Sequence, residues 1–136
     1  MKNNFFVIDT NILISAILFE HSSPTLAFDK IKRLGKIPAS FETYNELCDV
    51  IVRPKFDKYV SLKMRLVILN EIKDLLIFHE ISEAVTDCRD PKDNKFLELA
   101  ISANASSIIT GDKDLLILHP FRGIPILNAV DFINKF

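Results

Sequence analysis

The chain has 136 residues, 49% of them hydrophobic, and a formal net charge of −1 at pH 7. That length suffices for one domain burying roughly two-thirds of its unfolded surface, and the near-neutral balance excludes a chain-wide positive field, so any contact with nucleic acid has to come from a local patch. Cys48 and Cys88 form no CxxC and the three histidines show no zinc-ligand spacing, so both thiols read as idle in a reducing compartment. The N-terminal "MKNNFFVIDTN" breaks at Asp9 before a signal-peptide core can form, and no apolar run approaches the ~18 residues of a membrane span. A single soluble, cytoplasmic domain over residues 1–136, without membrane association, is the expectation.

Phe5 to Ile8 is a continuous apolar run of the kind expected in a central parallel strand buried on both faces. From Ile12 the hydrophobes recur with helical period as far as Phe19. In "SSPTLAFDKIKRL", Ser23 reads as an N-cap with Pro24 at the first helical position, and Gly35 ends the helix. "KIPAS" is a short strand, and Ser40 caps the helix "FETYNELCDVIV", with an apolar face of Phe41, Tyr44, Leu47, Cys48 and Ile51. Ser61 opens a further helix, "LKMRLVILNEIKDL", running into the strand "LLIFHEI". "DPKDNKFLELAISANA" is a helix with Asp90 as N-cap; "SSIIT" is a strand followed by the turn "GDKD"; "IPIL" is a last strand, and Asn128 caps a closing helix. The alternation predicts a three-layer α/β/α sandwich around a mostly parallel sheet.

In open parallel sheets, sites form beyond the carboxyl ends of the strands, where the order of connection reverses. Asp9 follows the first strand and Asp112 follows "SSIIT", so both fall on that edge; Asp93, in the first turn of the helix feeding "SSIIT", faces it, and Glu46 stands beside the apolar face of its helix. Singly, each has an ordinary structural reading: Asp9 and Asp112 as caps, Asp93 as a helix-start carboxylate, Glu46 as a solvated flank. Together they pose an electrostatic problem, because neighbouring carboxylates oppose one another's ionisation. An oxygen-only donor set selects a hard ion, Mg²⁺ or Mn²⁺, and suits phosphoryl chemistry. Thr10, Asn11 and Thr110 are small polar neighbours able to orient the carboxylates.

"VIDTN", "NEL", "DCRDPKDNKFLELAISANA" and "IITGDKDLL", in that order and spanning Phe6 to about Ile126, resemble the PIN domain family, and most closely its single-domain bacterial and archaeal members that serve as toxins of toxin–antitoxin pairs. The resemblance implies Mg²⁺- or Mn²⁺-dependent cleavage of RNA, with Asp9, Glu46, Asp93 and Asp112 as acidic ligands and Asp114 as an additional acid that not all members use. Asn11 falls where relatives carry a polar residue supporting the first Asp, and Asn94 stands where many carry a second Asp, which leaves one-metal or two-metal occupancy open. In the mechanism this suggests, Asp9, Asp93 and Asp112 hold the metal, Glu46 binds a second ion or positions the attacking water, and the products are a 5′-phosphate and a 3′-hydroxyl. Arg53, Lys55, Arg89, Lys92 and Lys95 are the candidates for the RNA backbone, single-stranded or looped RNA being expected because no groove-reading motif is visible. A cognate antitoxin and a homodimer are implied partners, "MRLVILNEIKDLLIF" being either a dimer face or plain core. Two rival readings are an Asp-phosphorylating receiver or phosphatase, for which "DTN" lacks the second acid and "LLIFHE" a phosphoacceptor, and a non-catalytic binding module.

Overall fold

The computed structural model describes residues 4–136. The apolar run before Asp9 forms β1 (Phe6–Ile8). The chain continues through α1 (Thr10–Leu18), α2 (Ser23–Leu34), β2 (Ile37–Ala39), α3 (Phe41–Ile51), a 3-10 turn (Pro54–Phe56), α4 (Leu62–Leu75) and β3 (Leu76–Phe78). A second 3-10 turn (Pro91–Asp93) leads into α5 (Asn94–Ser102), β4 (Ser107–Ile109), α6 (Lys113–Leu116), β5 (Ile126–Leu127) and α7 (Ala129–Lys135).

All strand pairings are parallel: β1 with β4 in the register Phe6↔Ser107 to Ile8↔Ile109, β4 with β5, and β2 with β3. A parallel bridge between Phe5 and Lys36 joins the two groups, with Phe6 N–H donating to the Lys36 carbonyl at 3.0 Å, so the spatial order is β3-β2-β1-β4-β5. The strands alternate between two cores. Phe6, Ile8 and Ile109 pack with Leu13, Ile31, Leu47, Ile72 and Phe132 on one face, whereas Val7 and Ile108 pack with Phe96, Leu97, Leu99 and Leu115 on the other. These are the two interfaces of the expected three-layer sandwich, and they explain why β1 and β4 read as unbroken apolar runs.

Local chemistry accounts for most boundaries and for the places where they differ from the sequence reading. The α2 cap is Ser22 rather than Ser23: Ser22 Oγ accepts the Thr25 N–H at 3.3 Å, and Pro24 occupies the second helical position, still within the first turn where no intrahelical partner is needed. Ser40 and Thr43 form a reciprocal capping box on α3, as the cap reading requires. Phe41 is not part of the α3 apolar face; it is 75% exposed, in the first turn, and the buried residues are Leu47, Val50 and Ile51. The helix read from Asp90 is split into the 3-10 turn and α5, and "GDKD" opens the short helix α6, not merely a turn. α4 passes into β3 with no intervening loop, and β3 is an edge strand, far from the central position a phosphoacceptor strand would take. Cys48 and Cys88 are both free. No helix among the described residues is long and apolar enough to cross a membrane.

The irregular segment between β3 and the second 3-10 turn is laid along α5. Backbone N–H groups of Ser82, Val85 and Cys88 donate to the side chains of Ser102, Glu98 and Asn94, each at 2.9 Å. Acceptors four residues apart share one helix face, so α5 supplies the partners that a neighbouring strand would otherwise provide.

At the join between the strand groups, a Cβ added to Gly35 would lie 2.1 Å from the carbonyl oxygen of Asn4, which itself accepts the Lys36 N–H at 2.8 Å. Neither backbone segment can withdraw without breaking the β1–β2 junction. Gly35→Ala is expected to cost about 1–3 kcal/mol, seen by calorimetry as a melting temperature roughly 5–10 °C lower; an unchanged value would mean that the junction yields freely.

Candidate active site

The chain lays down β1, β2 and β3 outward in one direction and then returns to the other side of β1 with β4, so the crevice beyond β1 and β4 is the point where the order reverses. Asp9 and Asp112 stand there. Asp9 is 4% exposed and uses its two oxygens differently. Oδ1 caps α1 by accepting the Ile12 N–H at 2.9 Å, while Oδ2 accepts the hydroxyl of Thr110. Thr110, fully buried, also accepts the Asp112 N–H at 3.0 Å, so one hydroxyl couples the two strand ends. Asp112 in turn caps α6 through the Asp114 N–H at 2.8 Å.

Asp93, at the end of the second 3-10 turn, faces Asp112. Two ionised carboxylates cannot donate to each other, and Asp93 Oδ2 is buried without a hydrogen-bond partner. Burial, then Asp112, then the charge of Asp90 push the Asp93 carboxyl up to about 7, against the pull of Lys95. Burial likewise raises Asp9, with the charges of Asp112 and Glu46 acting in the same sense and the bonds from Thr110 and Ile12 opposing them. Cys88 lies beside the same acids, and burial first, then the charges of Asp93, Asp112 and Asp114, push its thiol above the ordinary value.

Glu46 completes the group from α3. Its Oε1 accepts the Thr10 hydroxyl, and its Oε2 pairs with Lys95 Nζ at 2.7 Å. Lys95, 15% exposed, also donates to the Lys92 carbonyl. The sequence reading placed Lys95 among the RNA-backbone candidates; the structure places it inside the acid group as the counter-charge of Glu46. No signal in the primary chain links positions 46 and 95.

The remaining candidates divide. Thr10 and Thr110 do support acids, but among the described residues no hydrogen bond joins Asn11 to Asp9, and Asn11 lines an outer groove of α1 instead. Asp114 sits at the rim, held by Arg89 through Nε at 3.0 Å and Nη2 at 2.9 Å. Arg89 is therefore committed to an ion pair, whereas Arg53, Lys55 and Lys92 are exposed and form no ion pair among the described residues. Asn94 is buried and accepts the Cys88 N–H, so its place in the structure is that of a tether for the crossing segment.

Among the described residues, no three Asp, Glu, His or Cys side chains are arranged as a ready-made coordination shell. The group nevertheless fits a hard divalent ion that keeps much of its own water and takes one or two carboxylates. Its donors are all oxygen, Asp93 Oδ2 is buried and unpartnered, and Asp9 and Asp93 both resist ionisation without added positive charge.

Residues 6–114 match the sequence profile of the PIN domain. The chain belongs to the PIN domain family. The matched stretch contains Asp9, Glu46, Asp93, Asp112 and Asp114, and PIN domains are generally nucleases. This PIN domain is 33% identical over 120 residues to an uncharacterized protein of Methanocaldococcus jannaschii, covering 83% of this chain and 74% of that one. Its fold is similar to VapBC2 from Rickettsia felis, solved bound to a DNA fragment from its promoter, at a TM-score of 0.61 and 15% identity over 91% of this chain and 98% of that one. A protein from Pyrobaculum aerophilum gives 0.62 at 14% identity, covering 97% and 88%, and VapBC-1 from nontypeable Haemophilus influenzae gives 0.59 at 15%, covering 93% and 98%. At such identities the likeness is one of fold.

A carboxyl that binds its proton more tightly in the folded chain favours folding below its unfolded value of 3.8, and that advantage is lost as pH rises through about 7. Asp93→Asn removes the ionisable group, so in chelator its melting temperature relative to wild type is expected to climb between about pH 4 and pH 8, reaching roughly 2–5 °C above wild type at the upper end. Parallel profiles for the two proteins would show that Asp93 does not carry this strain.

Proposed function

We propose that this PIN domain is a Mg²⁺- or Mn²⁺-dependent endoribonuclease that hydrolyses single-stranded or looped RNA and acts as the toxin of a toxin–antitoxin pair. The observation that carries the reading is the facing of Asp93 and Asp112, with Asp9 tied to the same point through Thr110 and one buried Asp93 oxygen left without a partner. Asp9, Asp93 and Asp112 are the residues that would hold the ion. When bound, such an ion polarises the phosphodiester and makes water a competent nucleophile near neutral pH. Water adds to phosphorus, the bond to the 3′-oxygen breaks, and that oxygen leaves with a proton, giving a 5′-phosphate and a 3′-hydroxyl.

Glu46 is suited to a second ion or to orienting the attacking water, because Lys95 and Thr10 fix its two oxygens at the mouth of the acid group. Thr110 sets the spacing of Asp9 and Asp112, and Asp114 stays at the rim under Arg89. Labelled RNA incubated with Mg²⁺ or Mn²⁺ is expected to be cut by wild type and not in chelator. Asp112→Asn is expected to cut at least about 100-fold more slowly, beyond the ~10–100-fold typical of a residue that only supports a ligand. Equal cutting by both proteins, or cutting that survives chelation, would eliminate this mechanism.

A homodimer and a cognate antitoxin are the partners implied. For the dimer, the sequence reading of "MRLVILNEIKDLLIF" as either core or contact face divides by residue. Leu69, Ile72 and Leu76 are buried, while Met64, Leu66, Val67 and Leu75 on α4 and Ile77 and Phe78 on the edge strand are exposed. An apolar surface of this kind is typical of an association face. Sedimentation velocity is expected to give a dimer for wild type and a monomer for Leu66→Glu with Val67→Glu; a wild-type monomer at all concentrations would remove the dimer from the proposal.

A further inference from the structure

Two grooves flank the acid group. The one between α3 and the start of α5, about 760 Å³, shares Glu46 and Lys95 with it and also carries Arg53 and Lys92, but Glu42, Asp49 and Glu98 leave it with an excess of acids that disfavours a phosphate chain. The other, about 350 Å³, runs along the outer side of α1 toward the segment that follows the first 3-10 turn. It starts at Asn11, next to the Thr10 that holds Glu46, and ends at Phe19. No acidic residue lines it. Lys55, Lys58 and Tyr59 form its far wall.

Buried chemistry maintains that asymmetry. Arg65 on α4 is fully buried, which is expensive for a guanidinium, and the catalytic reading gives it no task. Its Nη2 pairs with Asp57 Oδ1 at 2.5 Å and its Nη1 meets the Arg53 carbonyl at 3.5 Å. The one acid of the 53–59 segment is thus neutralised against α4, and the lysines are left to define the charge on the groove side. Tyr59 stands edge-to-face with Phe19 at 4.9 Å, and Lys58 Nζ lies 5.1 Å from the Tyr59 ring. An exposed lysine leaves an aromatic face at small cost, so Lys58 can turn to a phosphate while Tyr59 takes a base. A positively charged track with an aromatic platform is the chemistry of sequence-tolerant single-strand binding.

We propose that the α1 groove binds single-stranded RNA beside the scissile phosphate, with Lys55 and Lys58 on backbone phosphates and Tyr59, buttressed by Phe19, stacking a base. Its placement beside a scissile bond rests on the ribonuclease reading; its affinity for the strand does not. The test is fluorescence anisotropy of a labelled single-stranded RNA dodecamer with the full chain, in chelator so that nothing is cut, over a series of salt concentrations.

Lys55→Ala with Lys58→Ala is expected to bind about tenfold more weakly at low salt and to reduce the slope of log K against log salt by roughly 1.4, two phosphates at ~0.7 each. Tyr59→Ala is expected to bind about tenfold more weakly with the slope unchanged. In cleavage, both variants are expected to raise KM and keep kcat. Affinity and slope equal to wild type in both correctly folded variants would overturn the proposal and leave the groove to a polypeptide partner. That result alongside intact chelator-sensitive cutting would spare the ribonuclease reading, whereas groove-dependent binding by a chain that never cuts would do the reverse.

Discussion

The bond from Thr110 to Asp9 spans 101 residues of sequence and holds two strand ends in fixed relation. Everything at the crevice depends on it. Parallel pairing of β1 with β4 brings the ends side by side, but pairing alone does not determine how carboxylates of like charge behave once they meet. The hydroxyl does so by donating to Asp9 while accepting the backbone of Asp112, so neither acid has to turn away from the other. Repulsion is answered further by spending helix starts on the same residues: Asp9 and Asp112 each accept an amide at the beginning of a helix, where the local dipole is positive. The cap reading of these residues therefore accounts for one oxygen of each carboxylate.

The sheet edge was legible because its signals are local. Apolar runs ending in Asp, capping serines and strand-helix alternation each involve a few adjacent residues, and Asp9, Asp112 and the start of α5 follow from them. Misreadings came where a side chain's partner is remote or where two local choices are nearly equal. Ser22 and Ser23 are both competent caps, and only Thr25 three residues beyond Ser22 decides between them. Phe41 has the right spacing for the α3 core and is nonetheless exposed, since periodicity does not say where a helix outruns the sheet beneath it. Glu46 and Lys95 lie on different helices, and their pairing is a product of packing that no pattern in either segment announces.

The positive charges likewise sort by partner rather than by sequence position. Arg89 and Lys95 are taken up by acids of the group, and Arg65 vanishes into the core to hold Asp57. A chain with a net charge of −1 thus has local asymmetry without global bias. What distinguishes the two sides of the crevice is which acids have been given a cation, and that is fixed by the burial of Arg65 and the reach of Lys95.

The crossing segment bound to α5 has a consequence for how its length can vary. A connection without helix or strand ordinarily tolerates insertion and deletion. Here three amides meet three acceptors set at a helical repeat, as teeth meet a rack. One residue gained or lost between Ser82 and Cys88 would leave a tooth unengaged and shift the thread that delivers Asp90 and Asp93 to the crevice. The stretch that looks most like slack is a measured spacer.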